Sequence, residues 1–270
     1  MKNKWFCIWV VLLIAGRSMD SFAEQPASSS IAQYRAMLED GNPADLVESM
    51  GEALWKTKRG PKNVSLENCD FGLGAGKLKG AYARMPRYFS DTDSVMDFES
   101  RLVHCMVTLQ GFTREEIIKK AFSREGERAT DLEALTIYAV AQSKGEKVWV
   151  PQSHSKEKAA YARGEKAFFY RAGPYDFSCA SCHGQDSKRI RLQELPNLTR
   201  TEDAQKSYTT WPAYRLSQGS VRTMQWRLAD CFRQQRLPEL IYGSQTAIDL
   251  VTYLGVKAKG GVMDAPAIKR

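Results

Sequence analysis

The 270-residue sequence predicts a mostly α-helical protein made of two similar halves, with one chemistry-bearing motif in the second half only. Three observations carry this expectation. Amphipathic helical segments are closed by Gly-Pro stops. A C-x-x-C-H motif occurs once. An ungapped self-similarity links the two halves at an offset of 113 residues. Hydrophobic residues make up 43% and charged residues 26%, ordinary for a globular chain with a sizeable core. That balance excludes a wholly disordered chain and a polytopic membrane protein.

Lys2 and Lys4 precede an apolar run from Trp5 to Gly16. A run of roughly 12 residues is too short for a bilayer core of about 30 Å. Ser21-Phe22-Ala23 then supplies small residues for cleavage. Residues 1–23 read as a cleaved signal peptide that delivers the chain to the periplasm, with no membrane span in the mature protein. Cys7 leaves with it. The net charge of +8 suits anionic substrates or acidic protein partners. The sequence carries no Lys/Arg stripe interleaved with aromatics, so no nucleic-acid partner is expected.

In the second half, Glu157 to Arg171 has helical periodicity, with Tyr161, Gly164, Ala167, Phe168 and Arg171 on one face. Gly173-Pro174 stops it. Cys179-Ala180-Ser181-Cys182-His183 follows. Two thiols one helical turn apart can add to the two vinyl groups of one haem, and the adjacent His then lies under the iron. A zinc site would need a second ligand pair, for which His104-Cys105 is the sole adjacent candidate. Leu195-Pro196-Asn197-Leu198 is placed to support the His183 ring. Ser244 to Val256 reads as a late helix, with Ala247, Leu250, Val251 and Leu254 on one face. Gly164 would let Leu250 or Tyr253 approach closely. The segment thus reads as a cytochrome c-like domain with one covalently bound haem c.

The first half repeats this order. Gly51-Glu52, Gly60-Pro61 and Cys69 superpose on Gly164-Glu165, Gly173-Pro174 and Cys182. Leu66 stands where Cys179 is and Asp70 where His183 is, so the haem motif is lost there. Arg101-Leu102-Val103-His104-Cys105 aligns with Arg227-Leu228-Ala229-Asp230-Cys231 at an offset of 126. Leu135 to Tyr138 matches Leu250 to Tyr253. Duplication explains three matches in one order. The expected division is 24–147 for a haem-less domain and 148–270 for a haem-binding, catalytic one. Val148-Trp149-Val150-Pro151 reads as an extended piece at the join. The tail from Lys257 to Arg270 reads as disordered or ordered by a partner.

Five cysteines remain in the mature chain, and two bind haem. If Cys231 reaches the iron, Cys105 faces the corresponding place in the first half, and Cys69 lies on its rim. A Cys69–Cys105 disulfide would then staple that half, worth about 3.8 kcal/mol in the chain-entropy model. Met224 is the conventional distal ligand, and spacing alone does not choose between it and Cys231. The repeat favours Cys231, because Phe98 stands where a Met224 counterpart would be. Arg227 lies one helical turn before Cys231, where a guanidinium favours thiolate and can fork onto an oxyanion. Arg233 and Arg236 are candidates to widen that anion site.

With its export signal, two cytochrome c-like halves, one C-x-x-C-H and R-x-x-x-C, the sequence resembles the SoxA family. Asn68-Cys69-Asp70-Phe71-Gly72, Pro86-Arg87-Tyr88-Phe89 and Arg227 to Cys231 read as family segments, and the resemblance covers nearly the whole mature chain. Some members carry two haems; Leu66 and Asp70 put this chain with the monohaem branch. The resemblance implies an L-cysteine S-thiosulfotransferase that joins thiosulfate to a cysteine of the carrier SoxYZ, working with the cytochrome subunit SoxX as a heterodimer. It implies haem attachment by Cys179 and Cys182, His183 as proximal ligand, and Cys231 as distal ligand and working sulfur, cycling through a persulfide or S-thiosulfonate. Arg227 would bind the sulfonate. Competing readings are an electron-transfer cytochrome c with His183/Met224 ligation, a thiosulfate dehydrogenase, and a non-enzymatic scaffold.

Overall fold

The computed structural model describes residues 41–190 and 193–270; the expected signal segment lies outside them. The first half opens with α1 (Ala44–Lys56) and continues through a hairpin of β1 (Arg87–Phe89) and β2 (Ser94–Met96). Helix α2 (Phe98–Cys105) follows, extended by a π-helical turn at Met106–Gln110, then α3 (Arg114–Ile118) and α4 (Asp131–Ala141). The second half holds α5 (Ser155–Phe169), α6 (Cys179–His183), a short hairpin of β3 (Arg189–Ile190) and β4 (Gln193–Glu194), and α7 (Thr201–Tyr208). It closes with β5 (Ala213–Arg215), β6 (Ser220–Arg222), α8 (Met224–Gln234), α9 (Gln245–Lys257) and β7 (Ala267–Lys269).

Local chemistry sets the helix starts. Thr130 and His154 cap α4 and α5, and Glu133 and Glu157 reach back to the cap nitrogens. This moves α5 two residues earlier than its apolar periodicity indicates. Ser244 is the cap of α9, not its first residue. His154, with no expected role, also stacks on Tyr88 at 3.7 Å between ring centroids.

Geometric equivalences run through both halves. Helix α1 crosses α4 at Gly51, which lies against the Ala134 carbonyl and Tyr138; α5 crosses α9 at Gly164, which lies against the Asp249 carbonyl and Tyr253. A side chain at either glycine would overlap the opposing backbone. The anticipated Tyr253 contact is present, and the Asp249 carbonyl takes the place expected of Leu250. The turns Arg59–Val64 and Ala172–Phe177 close with the same bridge, and Gly60 and Gly173 both have positive φ. Cis peptides precede Pro86 and Pro212, and the β1–β2 and β5–β6 hairpins follow each.

Cys69 and Cys105 form a disulfide with a Cα–Cα distance of 5.8 Å across a sequence separation of 36. Leu66 is fully buried beside them, and Phe71 stacks on Phe98 at 4.5 Å. One apolar core unites the halves, including Phe71, Phe98 and Leu102 from the first and Phe168, Leu250 and Tyr253 from the second.

Val148 to Pro151 lies outside any regular strand, and its backbone ties the halves: Val148 N–H donates to the Gly261 carbonyl and Trp149 N–H to the Ala83 carbonyl. One expectation is corrected: the C-terminal tail is ordered. Met263, Ala265 and Ile268 are buried, and β7 pairs in parallel with β5, giving a sheet of order β6-β5-β7. Among the described residues, no helix is long and apolar enough to cross a membrane.

Candidate active site

Ser178 caps α6: its hydroxyl accepts from Ser181 N–H, and its own N–H donates to the Ser181 hydroxyl. This single turn presents Cys179 and Cys182, both free thiols and half-buried. His183 ends the turn, with Nδ1 2.9 Å from the Pro196 carbonyl oxygen. Leu198 N–H donates to the His183 carbonyl at 2.9 Å. The Leu195–Leu198 loop therefore does support the ring. Asn197 holds the loop by donating to Asp186 at 2.7 Å and accepting from the Thr199 hydroxyl at 2.6 Å. With Nδ1–H turned to a carbonyl, Nε2 keeps the lone pair a metal needs. Burial, and secondarily Arg227, lowers the His183 pKa against the raising effect of the Pro196 bond, which favours neutral imidazole.

Helix α8 brings the second set of groups. Thr223 caps it by accepting from Trp226 N–H at 3.2 Å. Arg227 and Cys231, four residues apart, lie on the same side. Burial raises the Cys231 thiol pKa; Arg227 opposes this, Asp230 and Cys182 reinforce it, and Arg215 opposes it. The Cys179 thiol is pushed up to about 12 by burial first, then by the neighbouring Cys231 and Cys182 sulfurs. These mutual influences place the three sulfurs in one cluster. Two thiols one turn apart, an imidazole with a free Nε2, and a third sulfur from another helix fit a haem that Cys179 and Cys182 would attach and that His183 and Cys231 could ligate. Met224 is placed differently: it lines a small cavity on the seam between the halves, with Phe98, Asp97, Glu99 and Tyr208.

The anion-site expectations separate. Arg227 is held loosely, Nη1 3.4 Å from Asp230. Arg233 points outward, its side chain 75% exposed and tied to Asp230 at 2.7 Å. Arg236 lies beyond the helix end with φ +53°, its guanidinium 5.4 Å from the Tyr175 ring centroid. Helix geometry turns Arg233 away from the thiols, and the chain reversal carries Arg236 elsewhere. Two residues escaped the sequence reading. Asp230, a buried carboxylate, accepts from Arg227, Arg233 and Gln234. Arg215 ends β5, half-buried and within charge–charge reach of Arg227, Asp230 and Cys231. The repeat was the available signal, since Arg215 stands 126 residues after Phe89.

The fold and this donor set define a c-type cytochrome. A family model for the SoxA/TsdA cytochrome c domain matches residues 50–148 and again 163–263. The chain is 53% identical over 241 residues to the L-cysteine S-thiosulfotransferase subunit SoxA of Hydrogenophilus thermoluteolus, covering 89% of this chain and 88% of that one. It is 31% identical over 275 residues to a SoxA subunit of the same description from Hydrogenobacter thermophilus, covering 100% of both. The crystal structure of SoxXA from P. pantotrophus shares the fold, with a TM-score of 0.72 and 21% identity over 88% of this chain and 84% of that one. The chain belongs to the SoxA family.

Proposed function

We propose that this protein is the catalytic subunit of an L-cysteine S-thiosulfotransferase, acting in the periplasm with a SoxX cytochrome subunit on thiosulfate and the carrier SoxYZ. The relatives' names support the reaction class, and the SoxXA fold match supports the kind of assembly. The repeated crossings and turns support duplication into 24–147 and 148–270. One haem c is held in the second half by Cys179, Cys182, His183 and Cys231. Leu66 and Asp70 supply neither thiol nor imidazole in the first.

The observation that carries the reading is Arg227 and Cys231 on one side of α8, clustered with two free thiols and a carbonyl-oriented imidazole. Bound haem supplies an electron sink. Arg227 binds the sulfonate oxygens and aims the outer sulfur at Cys231. A sulfur–sulfur bond forms between the Cys231 thiolate and the outer sulfur of thiosulfate, and the two electrons released would pass one at a time to the haem and its SoxX cytochrome partner as oxidants. The carrier thiolate then attacks the thiosulfate sulfur bonded to Cys231. That bond breaks, the carrier keeps the S-thiosulfonate, and Cys231 regains its thiolate. A persulfide on Cys231 belongs to the same sulfur chemistry.

The test is turnover of thiosulfate with carrier protein, together with mass spectrometry of the Cys231 peptide from protein isolated without reductant. Cys231→Ala is expected to abolish conjugation while the haem stays attached. Sulfur added to wild-type Cys231 should be lost with a thiol. Full conjugation by Cys231→Ala overturns the role assigned to Cys231; a bare wild-type Cys231 with the haem peptide intact favours electron transfer, with Met224 the next residue to test.

A further inference from the structure

We infer that Arg215 is the second cation of the anion site at Cys231, sharing a doubly charged sulfur oxyanion with Arg227. The inference rests on the thiosulfate reading above and adds a binding and specificity residue to it. Arg215 closes β5 just before the turn Leu216–Gln218, so the strand pairing with β6 and β7 fixes its backbone. Among the described residues its Nε is enclosed and has no hydrogen-bond partner. Its guanidinium is within charge–charge reach of Arg227, Asp230 and Cys231.

Among the described residues the local charge stays positive. Asp230 is the nearby acid, and its oxygens are already engaged by Arg233 at 2.7 Å and Gln234 at 2.6 Å. Arg227 keeps a 3.4 Å contact to it. Two half-buried guanidiniums beside one shared carboxylate repel each other unless an anion lies between them.

The other half shows what this fold does when no anion is needed. Arg101 is the counterpart of Arg227 and Phe89 the counterpart of Arg215. Arg101 donates from Nε to the Asp70 carbonyl at 2.8 Å and from Nη1 to Asp91 at 2.9 Å, and it lies 4.1 Å from the centroid of the Phe89 ring. There the arginine is partnered at Nε and Nη1 and capped by an aromatic ring. In the half with the free thiols, the ring is replaced by a second cation. A sulfonate end offers three acceptor oxygens to the two guanidinium forks and leaves the outer sulfur directed to Cys231. A neutral or singly charged sulfur compound would use the pair less well.

The haem-loaded protein tests this by KM and kcat for thiosulfate, and by alkylation of Cys231 with iodoacetate against iodoacetamide, read by mass spectrometry. Arg215→Gln should raise KM about tenfold with kcat little changed. It should also cut the preference for the anionic reagent, with the haem absorption spectrum unchanged. Arg215→Lys should restore part of both. Arg215→Phe, the residue the first half carries, is the second variant should the first not fold. Unchanged KM and reagent preference overturn the inference, as does a shifted haem potential with unchanged KM, which would assign Arg215 to a haem carboxylate. If Arg227→Gln and Cys231→Ala also leave conjugation intact, the placement of thiosulfate at Cys231 has itself failed, whereas a wild-type protein that conjugates no thiosulfate overturns the thiosulfate reading.

Discussion

Three arginines close in sequence have three different surroundings. Arg227 is half-buried beside the thiols; Arg233 is solvated on the far side of Asp230; Arg236 covers Tyr175. An exposed ion pair contributes little, because water screens it. Arg233→Gln should therefore change the thiosulfate KM by less than about twofold and unfolding free energy by no more than about 0.5 kcal/mol. A tenfold KM change in Arg233→Gln would show that the exposed guanidinium turns inward when substrate binds. The haem motif was legible from residue identity and spacing, and the Cys69–Cys105 pairing from the internal repeat that sets Cys105 against Cys231. Arg215 was not: its neighbours arrive from a strand and a helix that no local pattern brings together. Only the offset to Phe89 pointed there, and the meaning of that exchange required the contacts of Arg101.

Helices α5 and α9 pack through a glycine, and the same device joins α1 to α4. At Gly164 an added methyl would overlap the Asp249 carbonyl, which belongs to the backbone of a helix buried along most of its length. Backbone yields less readily than a side-chain tip. Arg163 also grips the Asp249 carboxylate with two bonds, at 2.7 and 2.9 Å, locking the crossing in register. Gly164→Ala should cost about 3 kcal/mol in denaturant unfolding, the upper part of the overpacking range. An unchanged midpoint would mean that the helices slide apart at no cost. Periodicity revealed α5 and α9, whereas the crossing of α1 with α4 was legible only through the repeat of Gly51 and Leu135 to Tyr138. The last strand stayed hidden. Lys257 to Arg270 is rich in Gly, Lys and Ala and has no alternating pattern. What orders it is long-range: the parallel pairing of Ala267 to Lys269 with β5, and the burial of Met263 and Ile268.

The halves meet where the N-termini of the equivalent helices α2 and α8 face each other. Gln225 donates from its side chain to Asp97 at 2.6 Å and from its N–H to Glu99 at 3.1 Å, while the Thr223 hydroxyl donates to Glu99 at 2.8 Å. Both acids come from the first half, and the groups they bind begin the helix that carries Arg227 and Cys231. A second tie, the buried Arg222–Glu133 pair at 3.1 Å, joins β6 to α4. The first half thus acts as the mount for the helix that carries Arg227 and Cys231. Burial, then the Asp97 charge, raises the Glu99 pKa from 4.5 to about 8, against the hydrogen bonds from Gln225 N–H and the Thr223 hydroxyl. A folded-state pKa above the unfolded one means the native protein holds a proton that the unfolded chain releases. The stabilisation is complete below pH 4.5 and is lost as pH rises through 8. Asp97 is raised by burial too and adds in the same direction. Denaturant unfolding should therefore show stability falling by roughly 1.4 kcal/mol per pH unit over the window in which one such proton is lost only on unfolding. Glu99→Gln keeps the shape of the neutral acid and removes its titration, so its slope between pH 5 and 8 should be shallower. Equal slopes in the two proteins would mean that Glu99 is ionised in the fold, and that the two helix N-termini outweigh burial at the seam.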